Sequence, residues 1–183
     1  MEKKVDIPEN ISVEIDGRTI RVKGPKGVLE KNFNNPRFNK MISIEKNGNS
    51  VIIKTLNEKR SIKAVAGTIC AHTNKMIIGV TVGFNYTMEV FYSHFPMNIT
   101  VKDGKVEIRN FLGEKGARVA KIAGKTEVNV EKNSVILTGI DSEELGQTAS
   151  NIEQACKLSK RDKRTFLDGI YLSGRHLQSG EKI

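Results

Sequence analysis

The chain has 183 residues, enough for one ordinary domain or two small ones. Apolar residues make up 38% and charged residues 28% of the chain, a balance typical of a folded protein and not of a disordered one. The formal net charge of +9 and the pI near 9.6 favour a polyanionic partner, which could be nucleic acid, an acidic protein or an anionic membrane surface.

The sequence predicts neither a membrane span nor a secretory signal. The longest apolar run, residues 76–84, contains two glycines and is far shorter than the roughly 20 residues needed to cross a bilayer. The first eight residues contain no apolar signal core. Cys70 and Cys156 each fall on the apolar face of a predicted helix, so we expect reduced core cysteines and a cytosolic protein.

Alternating apolar and polar residues predict a series of short strands in the first half of the chain. These strands cover residues 11–15, 20–22, 28–33, 41–46 and 51–55. Asp16-Gly17 and Asn47-Gly48 are hairpin turn pairs, because these residue types tolerate a positive φ. The turn Lys-Gly-Pro-Lys-Gly at residues 23–27 could clamp a phosphate, or it could simply join two strands.

A long amphipathic helix follows these strands. Asn57 is its predicted N-cap, and Gly79 and Gly83 are predicted to end it. Its apolar residues recur at three- and four-residue spacing and form one face: Ile62, Val65, Ala66, Ile69, Cys70, Thr73, Met76, Ile77 and Val80.

The second half repeats this plan. A strand from Phe84 to Tyr92, shorter strands and a second hairpin lead to a helix, which Asp141 is predicted to cap while Glu144 completes a capping box. Three landmarks recur in the same order at offsets of 83 to 87 residues: Asp16-Gly17-Arg18 with Asp103-Gly104-Lys105, Asn49–Ile53 with Asn133–Leu137, and the apolar faces of the two helices.

Three ordered matches indicate an internal duplication. We therefore expect an α+β fold of two tandem, duplicated small domains, residues 1–83 and 84–183. Each domain should be an antiparallel sheet with one main helix packed on it. The second domain should end in a basic segment.

That basic segment starts at the end of the second helix. Its cations are Lys157, Lys160, Arg161, Lys163 and Arg164, and the aromatic residues Phe166 and Tyr171 follow. Cations at this density repel one another unless an anion neutralises them. Basic residues interleaved with aromatic ones suit RNA, because the cations hold the backbone while the rings stack on bases. The alternative interpretation is a solvated, partly disordered tail.

A second basic set surrounds Gly113-Glu-Lys-Gly116 and consists of Arg109, Lys115, Arg118 and Lys121. The GxxG pattern is similar to the loop with which a KH domain clamps single-stranded nucleic acid. A KH domain requires a helix before this loop, whereas residues 105–111 alternate like a strand. A turn between strands is therefore favoured, and both interpretations leave these cations facing phosphates.

No motif predicts catalysis, a cofactor or a metal. Gly124-Lys125-Thr126 resembles the end of a nucleotide-binding loop, but Val119 stands where that motif requires glycine. The three histidines, His72, His94 and His176, have no ligand spacing. No nucleophile motif or acid–base pair of carboxylates is present, so we expect neither an enzyme nor a small-molecule substrate.

Several stretches resemble one family over almost the whole chain. They are Val5–Glu9, Val22–Gly27, Met76–Phe84, His94–Pro96, Val106–Lys115 and Phe166–Tyr171. The family is the universal large-subunit ribosomal protein numbered six in bacteria and nine in eukaryotes, and the match is to its eukaryotic branch. The segment 36–57 diverges from the family pattern.

The resemblance implies two tandem α+β domains and a structural, RNA-binding role near the stalk base and factor-binding region of the large subunit. The implied partners are large-subunit ribosomal RNA and neighbouring ribosomal proteins. The implied location is the cytoplasmic ribosome, with nuclear or nucleolar assembly in a eukaryote. In that family the second domain and the C-terminal segment make much of the RNA contact, in agreement with Lys157–Tyr171 and Arg109–Lys121. A KH-like single-strand binder and a basic adaptor for an acidic protein remain as alternatives.

Overall fold

The computed structural model describes residues 2–36, 38, 40–56, 59–158, 162 and 165–182. The chain divides into two compact units, Met1–Val82 and Gly83–Ile183, called the first and second units below. In each unit, antiparallel strands pack against one long helix. This architecture confirms the predicted α+β class.

The first unit contains six strands and one helix in its described part. They are β1 (Glu2–Asp6), β2 (Ser12–Asp16), β3 (Thr19–Gly24), β4 (Gly27–Asn32), β5 (Ile42–Asn47), β6 (Ser50–Thr55) and α1 (Arg60–Thr81). The strands form two antiparallel sheets with the orders β1-β6-β5 and β2-β3-β4. The sequence pattern had not predicted β1.

The core of the first unit lies between these sheets and α1. Alternate residues of the strands point inward and are fully buried, including Ile20, Val22 and Ile53. The helix meets them with Ile62 and Val80, which are also buried. The apolar stripe on α1 therefore stabilises the unit by removing its area from water.

The second unit has seven strands and one α-helix in its described part. They are β7 (Phe84–Phe91), β8 (Asn98–Lys102), β9 (Lys105–Arg109), β10 (Arg118–Lys121), β11 (Glu127–Val130), β12 (Ser134–Gly139), α2 (Ser142–Ala155) and β13 (Gly169–Leu177). A single 3-10 turn, Phe111–Gly113, follows β9. The antiparallel sheets have the orders β11-β12-β7-β13 and β10-β9-β8.

The described parts of the two units share a plan, to which the second unit adds one strand. The hairpin sheets β2-β3-β4 and β8-β9-β10 correspond, as do β1-β6-β5 and β7-β12-β11. In the second unit, β13 adds to the free side of β7 and pairs along its whole length, with a bulge between Leu172 and Gly174. This strand lies directly after the basic segment, where a disordered tail had been the alternative.

Both ends of α1 differ from the predictions. Gly79 lies inside α1 and is buried, and the helix continues to Thr81, after which Gly83 adopts a φ of +79°. At the start of α1, Lys59 occupies the cap position and makes no side-chain cap bond, so the predicted cap at Asn57 is wrong for this helix; Asn57 itself lies outside the described residues.

Asp141 caps α2 as predicted, because its carboxylate accepts from the Glu143 backbone N–H at 2.8 Å. The predicted capping box is wrong. The Glu144 carboxylate accepts instead from the Lys125 backbone N–H at 2.9 Å, which ties the turn before β11 to the first turn of α2.

Candidate nucleic-acid interface

The predicted basic segment begins just after the C-terminal end of α2. Lys157 is exposed and Leu158, the next residue, is buried in the core. Lys160, Arg161, Lys163 and Arg164 lie outside the described residues, so their contact with RNA stays a prediction. The segment is therefore described only at its two ends.

The far end of the segment is fixed to the second unit. Asp168 is 4% exposed, and its carboxylate accepts from the Ser93 backbone N–H at 3.0 Å. Ile170 is fully buried on β13, and Phe166 packs against the core. Both ends of the basic segment are therefore held by buried residues.

The outer edge of β13 is covered by side chains of α2. The Leu172 backbone N–H donates to Glu153 Oε1 at 2.9 Å, and the Ile170 backbone N–H donates to the Cys156 sulfur. On the sheet surface, Ser173 Oγ donates to Glu89 Oε1 at 2.7 Å. The two backbone bonds, from Ile170 and Leu172, satisfy donors that an edge strand otherwise leaves for an external strand.

Arg118, one of the predicted phosphate-facing residues, is held inside a network of the protein's own groups. Its Nε and Nη2 donate to the two carboxylate oxygens of Glu114 at 2.8 and 2.6 Å. Its Nη1 donates to the backbone oxygens of Ala155 at 2.9 Å and Lys157 at 3.2 Å. The guanidinium carbon lies 4.2 Å from the centroid of the Phe111 ring.

This network gives Arg118 a positioning role. Ala155 is the last residue of α2 and Lys157 is the residue after its C-cap Cys156, in the region where helical carbonyls lack helical partners. Hydrogen bonding to Glu114 raises the pKa of Arg118 and keeps it charged, while partial burial acts in the opposite direction. Arg118 thus fixes the point from which the basic segment departs.

The remaining predicted cations are exposed but do not all lie together. Arg109 ends β9 and makes an exposed 3.2 Å ion pair with Glu107, and Lys115 lies in the loop between β9 and β10. Because Arg118 pairs with Ile108 in the ladder, these three cations share one end of the hairpin. Lys121 pairs with Lys105 at the other end, so it belongs to a different part of the surface.

The GxxG loop does not have the context of a KH domain. Strand β9 precedes it, followed by the single 3-10 turn whose middle residue, Leu112, has a non-helical φ of +51°. The loop then leads into β10, another strand. Since a KH loop joins two helices, the structure removes the KH-like alternative and supports a turn between strands.

Four exposed aromatic side chains form a feature that sequence reasoning largely missed. Tyr171 had been predicted as an RNA contact, but Phe91, Tyr92 and Phe95 had not, and all four are exposed in the second unit. The alternation in β7 contained the signal, because buried Tyr86, Met88 and Val90 place Phe91 on the outer face. Phe91 and Tyr171, whose ring centroids are 6.1 Å apart, form an adjacent exposed pair, and contiguous exposed apolar surface is typical of a site that contacts a partner.

The Lys-Gly-Pro-Lys-Gly turn of the first unit has a packing role. A Cβ at Gly24 would come within 2.7 Å of the Val80 side chain, so this position must remain glycine. The Lys26 backbone N–H donates to the Val80 oxygen at 3.0 Å, and Lys26 Nζ donates to the Val82 oxygen. The turn therefore packs against the end of α1. This packing accounts for its glycine and lysine, and no phosphate-binding role is needed to explain them.

Other functional sites receive no support from the described part of the chain. No cluster of three or more His, Cys, Asp or Glu among those residues could hold a metal ion. None of the described helices combines the length and apolarity required to cross a membrane. Cys156 is a buried free thiol, and its burial raises the pKa from 9.0 to about 11, so it is unreactive at neutral pH.

The comparisons with known proteins agree on one family. The family model described as Ribosomal protein L6 matches residues 7–83 and again residues 95–169. A large ribosomal subunit protein uL6 of Ignicoccus hospitalis is 43% identical over 176 residues, covering 96% of this chain and 95% of the relative. The uL6 proteins of Methanocella arvoryzae and Methanothrix thermoacetophila are 42% and 46% identical, covering 94% and 93% of this chain and 96% and 94% of those relatives.

Proposed function

The chain belongs to the ribosomal protein L6 family, and from that premise we propose that it is a structural constituent of the large ribosomal subunit that binds ribosomal RNA. The observation that carries the proposal is the double match of the family model, once in each unit. A structural role of this kind needs no catalytic residues, so the chain is not an enzyme.

The partners follow from this role. The protein binds large-subunit ribosomal RNA and contacts neighbouring ribosomal proteins, and it sits near the stalk base and the factor-binding region. It is cytoplasmic as part of the ribosome. The relatives reported above are archaeal, so the expectation of nuclear or nucleolar assembly finds no support in them.

The RNA contacts are assigned to the end of the second unit that bears the basic segment. Lys157, Lys160, Arg161, Lys163 and Arg164 neutralise phosphates there, joined by exposed Arg109 and Lys115. Contacts of this type fix register and orientation, while sequence readout from base edges is a minor part. Arg118 contributes mainly by holding the end of α2, and Lys121 addresses a separate surface.

Sedimentation of native extract through a sucrose gradient tests the proposal. We expect the protein to comigrate with large subunits, to survive a moderate salt wash and to leave that position after ribonuclease treatment. A peak confined to light fractions would overturn the ribosomal role. A heavy complex that survives ribonuclease would instead support the adaptor alternative, because an acidic protein partner is not degraded.

A further inference from the structure

Two exposed aromatic rings lie side by side on the outer surface of β7 and β13. Phe91 is 44% exposed and Tyr171 is 38% exposed. Their ring centroids are 6.1 Å apart and the ring planes are tilted by 48°. Binding of a partner that covers this exposed apolar area lowers the free energy of the complex.

The glycine between the two rings allows them to meet. Gly169 pairs with Phe91 in the β-ladder and lies two residues before Tyr171. A Cβ at Gly169 would lie 2.8 Å from both Cζ and the hydroxyl oxygen of Tyr171, so the tyrosine ring covers the glycine backbone. The ring therefore turns towards Phe91, and no third side chain separates the pair.

Both rings are carried by rigid elements. Phe91 ends an eight-residue strand paired on both sides, and the backbone just beyond it is tied to Asp168 through Ser93. Tyr171 lies between buried Ile170 and Leu172, whose N–H is bonded to Glu153. A surface held in this way needs little ordering when it binds, which favours affinity.

The charges around the two rings favour a neutral base over a phosphate as the group that contacts them. Glu89 lies opposite Tyr171 in the ladder, and Glu153 lines the same pocket of about 190 Å³ as Tyr171. These carboxylates repel a phosphate but do not repel the neutral face of a base. Lys157 also lines this pocket and is the first cation of the basic segment, so a positive charge for the attached phosphate lies beside the rings.

We propose that Phe91 and Tyr171 form a stacking platform for an unpaired nucleotide of ribosomal RNA, with Lys157 holding its phosphate. This inference rests on the proposed function and assigns a site within it. Stacking of a base on an aromatic ring is tolerant of sequence and contributes about 5- to 150-fold in affinity per base. Burial raises the pKa of Tyr171, which keeps its hydroxyl neutral beside the RNA.

Three substitutions of one residue separate stacking from other contacts. Filter binding is measured with the full chain and deproteinised large-subunit ribosomal RNA from the cells that encode it. We expect Tyr171→Ala and Tyr171→Leu to weaken binding by about 5- to 150-fold and Tyr171→Phe to retain it, since only the first two remove the ring. The dependence of affinity on salt should be unchanged, because no phosphate contact is lost.

Val101→Ala is the matched control, because Val101 is 39% exposed on β8 of the same unit and should bind RNA like the wild type. Wild-type affinity for Tyr171→Leu would overturn the platform. If that variant keeps its RNA affinity but no longer remains with large subunits through a salt wash, the rings contact a neighbouring protein and the proposal is also wrong.

Tryptophan fluorescence can report directly on RNA bound at this site. The chain has no tryptophan, so Phe91→Trp introduces a single reporter, and Val101→Trp provides the control position. We expect RNA to quench the first strongly and the second weakly, with circular dichroism showing that both variants are folded. Equal quenching would overturn the platform alone. Absence of RNA binding by the wild type would instead overturn the proposed function.

Discussion

The two units carry equal numbers of cations but arrange them differently. The first has 15 Lys and Arg against 8 Asp and Glu, and the second has 15 against 13, which gives formal charges of +7 and +2. No eight-residue window of the first unit contains more than three cations, whereas residues 157–164 contain five. If net charge governed RNA affinity, the first unit would make the larger contribution to RNA binding. The local density of cations instead favours the second unit as the main RNA-binding unit.

The apolar surfaces of the units differ in the same direction. Among described residues, the large exposed apolar side chains of the first unit are aliphatic: Val28, Leu56 and Ile78. Those of the second unit include four aromatic rings, and one of these, Tyr171, lies on β13, which has no counterpart among the described residues of the first unit. The two units therefore have similar architectures but differ in the apolar side chains that their described residues expose.

In both units a cationic side chain donates to carbonyl oxygens at the C-terminal end of the helix, but the number of bonds differs. In the first unit, Lys26 donates to a carbonyl at the end of α1. In the second unit, Arg118 donates to Ala155 and Lys157 and is itself held by Glu114. The more extensive set of bonds lies where the basic segment begins.

The largest expected effect comes from removing the dense cations. Changing Lys160, Arg161, Lys163 and Arg164 together to Ala should weaken binding to large-subunit ribosomal RNA on the order of 10²- to 10³-fold near 0.1 M salt. The slope of log affinity against log salt should fall by roughly 0.7 to 0.9 for each lost contact. Filter binding across a salt series measures both quantities.

The matched control neutralises four cations of the first unit, Lys23, Lys59, Arg60 and Lys75, and should change the affinity and slope much less. An equal loss in the control would show that net charge governs binding. It would then remove the distinction between the two units.

Loss of the guanidinium at the end of α2 should have the next largest effect. Arg118→Ala should lower the free energy of unfolding by about 2 kcal/mol, because several charge-assisted bonds and the contact with Phe111 disappear. Lys26→Ala, the counterpart in the first unit, should lower it by only about 0.5 kcal/mol, because its bond to the Val82 oxygen is exposed to solvent. Urea unfolding followed by circular dichroism measures both, and a reversed order would contradict the comparison.

A pH dependence should be specific to the second unit. Burial raises the pKa of Cys156 from 9.0 to about 11, so the unfolded chain releases this proton first as the pH rises. The buried neutral thiol makes its full contribution to the free energy of unfolding below pH 9. This contribution decreases progressively between pH 9 and 11, and about 1.4 kcal/mol of it is lost at pH 10.

Cys156→Ala provides the reference for that dependence. Stability measured from pH 8 to 10 should fall more steeply in the wild type than in this variant. The corresponding residue of α1 is Thr73, which is buried and donates to the Ile69 oxygen without titrating in this range. Parallel curves for wild type and Cys156→Ala would show that the thiol is not buried as described.

The smallest effect concerns the helix starts. Asp141 caps α2, whereas α1 has Lys59 at its cap position and no acid in its first turn. Lys59→Asp should therefore stabilise the protein by about 0.5 to 1 kcal/mol through a new cap bond and a favourable dipole interaction. Thermal unfolding measures the change, and a destabilised variant would show that α1 starts differently.

The repeated plan of the fold was predictable because its signals are local. Alternation placed β2, β3, β6 and β7 close to their observed bounds, and the stripe of apolar residues identified both helices. Strand β1 was missed because Lys3 and Lys4 obscure its alternation and its partner β6 lies about 50 residues away. Strand β13 was missed because Gly174 and the bulge beside it interrupt the period of two.

The candidate site was predictable in composition but not in geometry. Sequence revealed the cations around Arg118, but its partners Ala155 and Lys157 are 37 and 39 positions away, so its internal bonding could not be foreseen. The capping box failed for the same reason, since Glu144 finds Lys125 in a distant turn. Likewise, the pairing of Phe91 with Tyr171 depends on the sheet register.

Ultraviolet crosslinking of intact large subunits, with mass spectrometry of the peptides joined to RNA, is the most direct test of the central claim. We expect crosslinks to this protein to concentrate in residues 91–95 and 157–171 of the second unit. Crosslinks found mainly in residues 1–82 would contradict the claim, because the more highly charged first unit would then be the principal RNA-binding half.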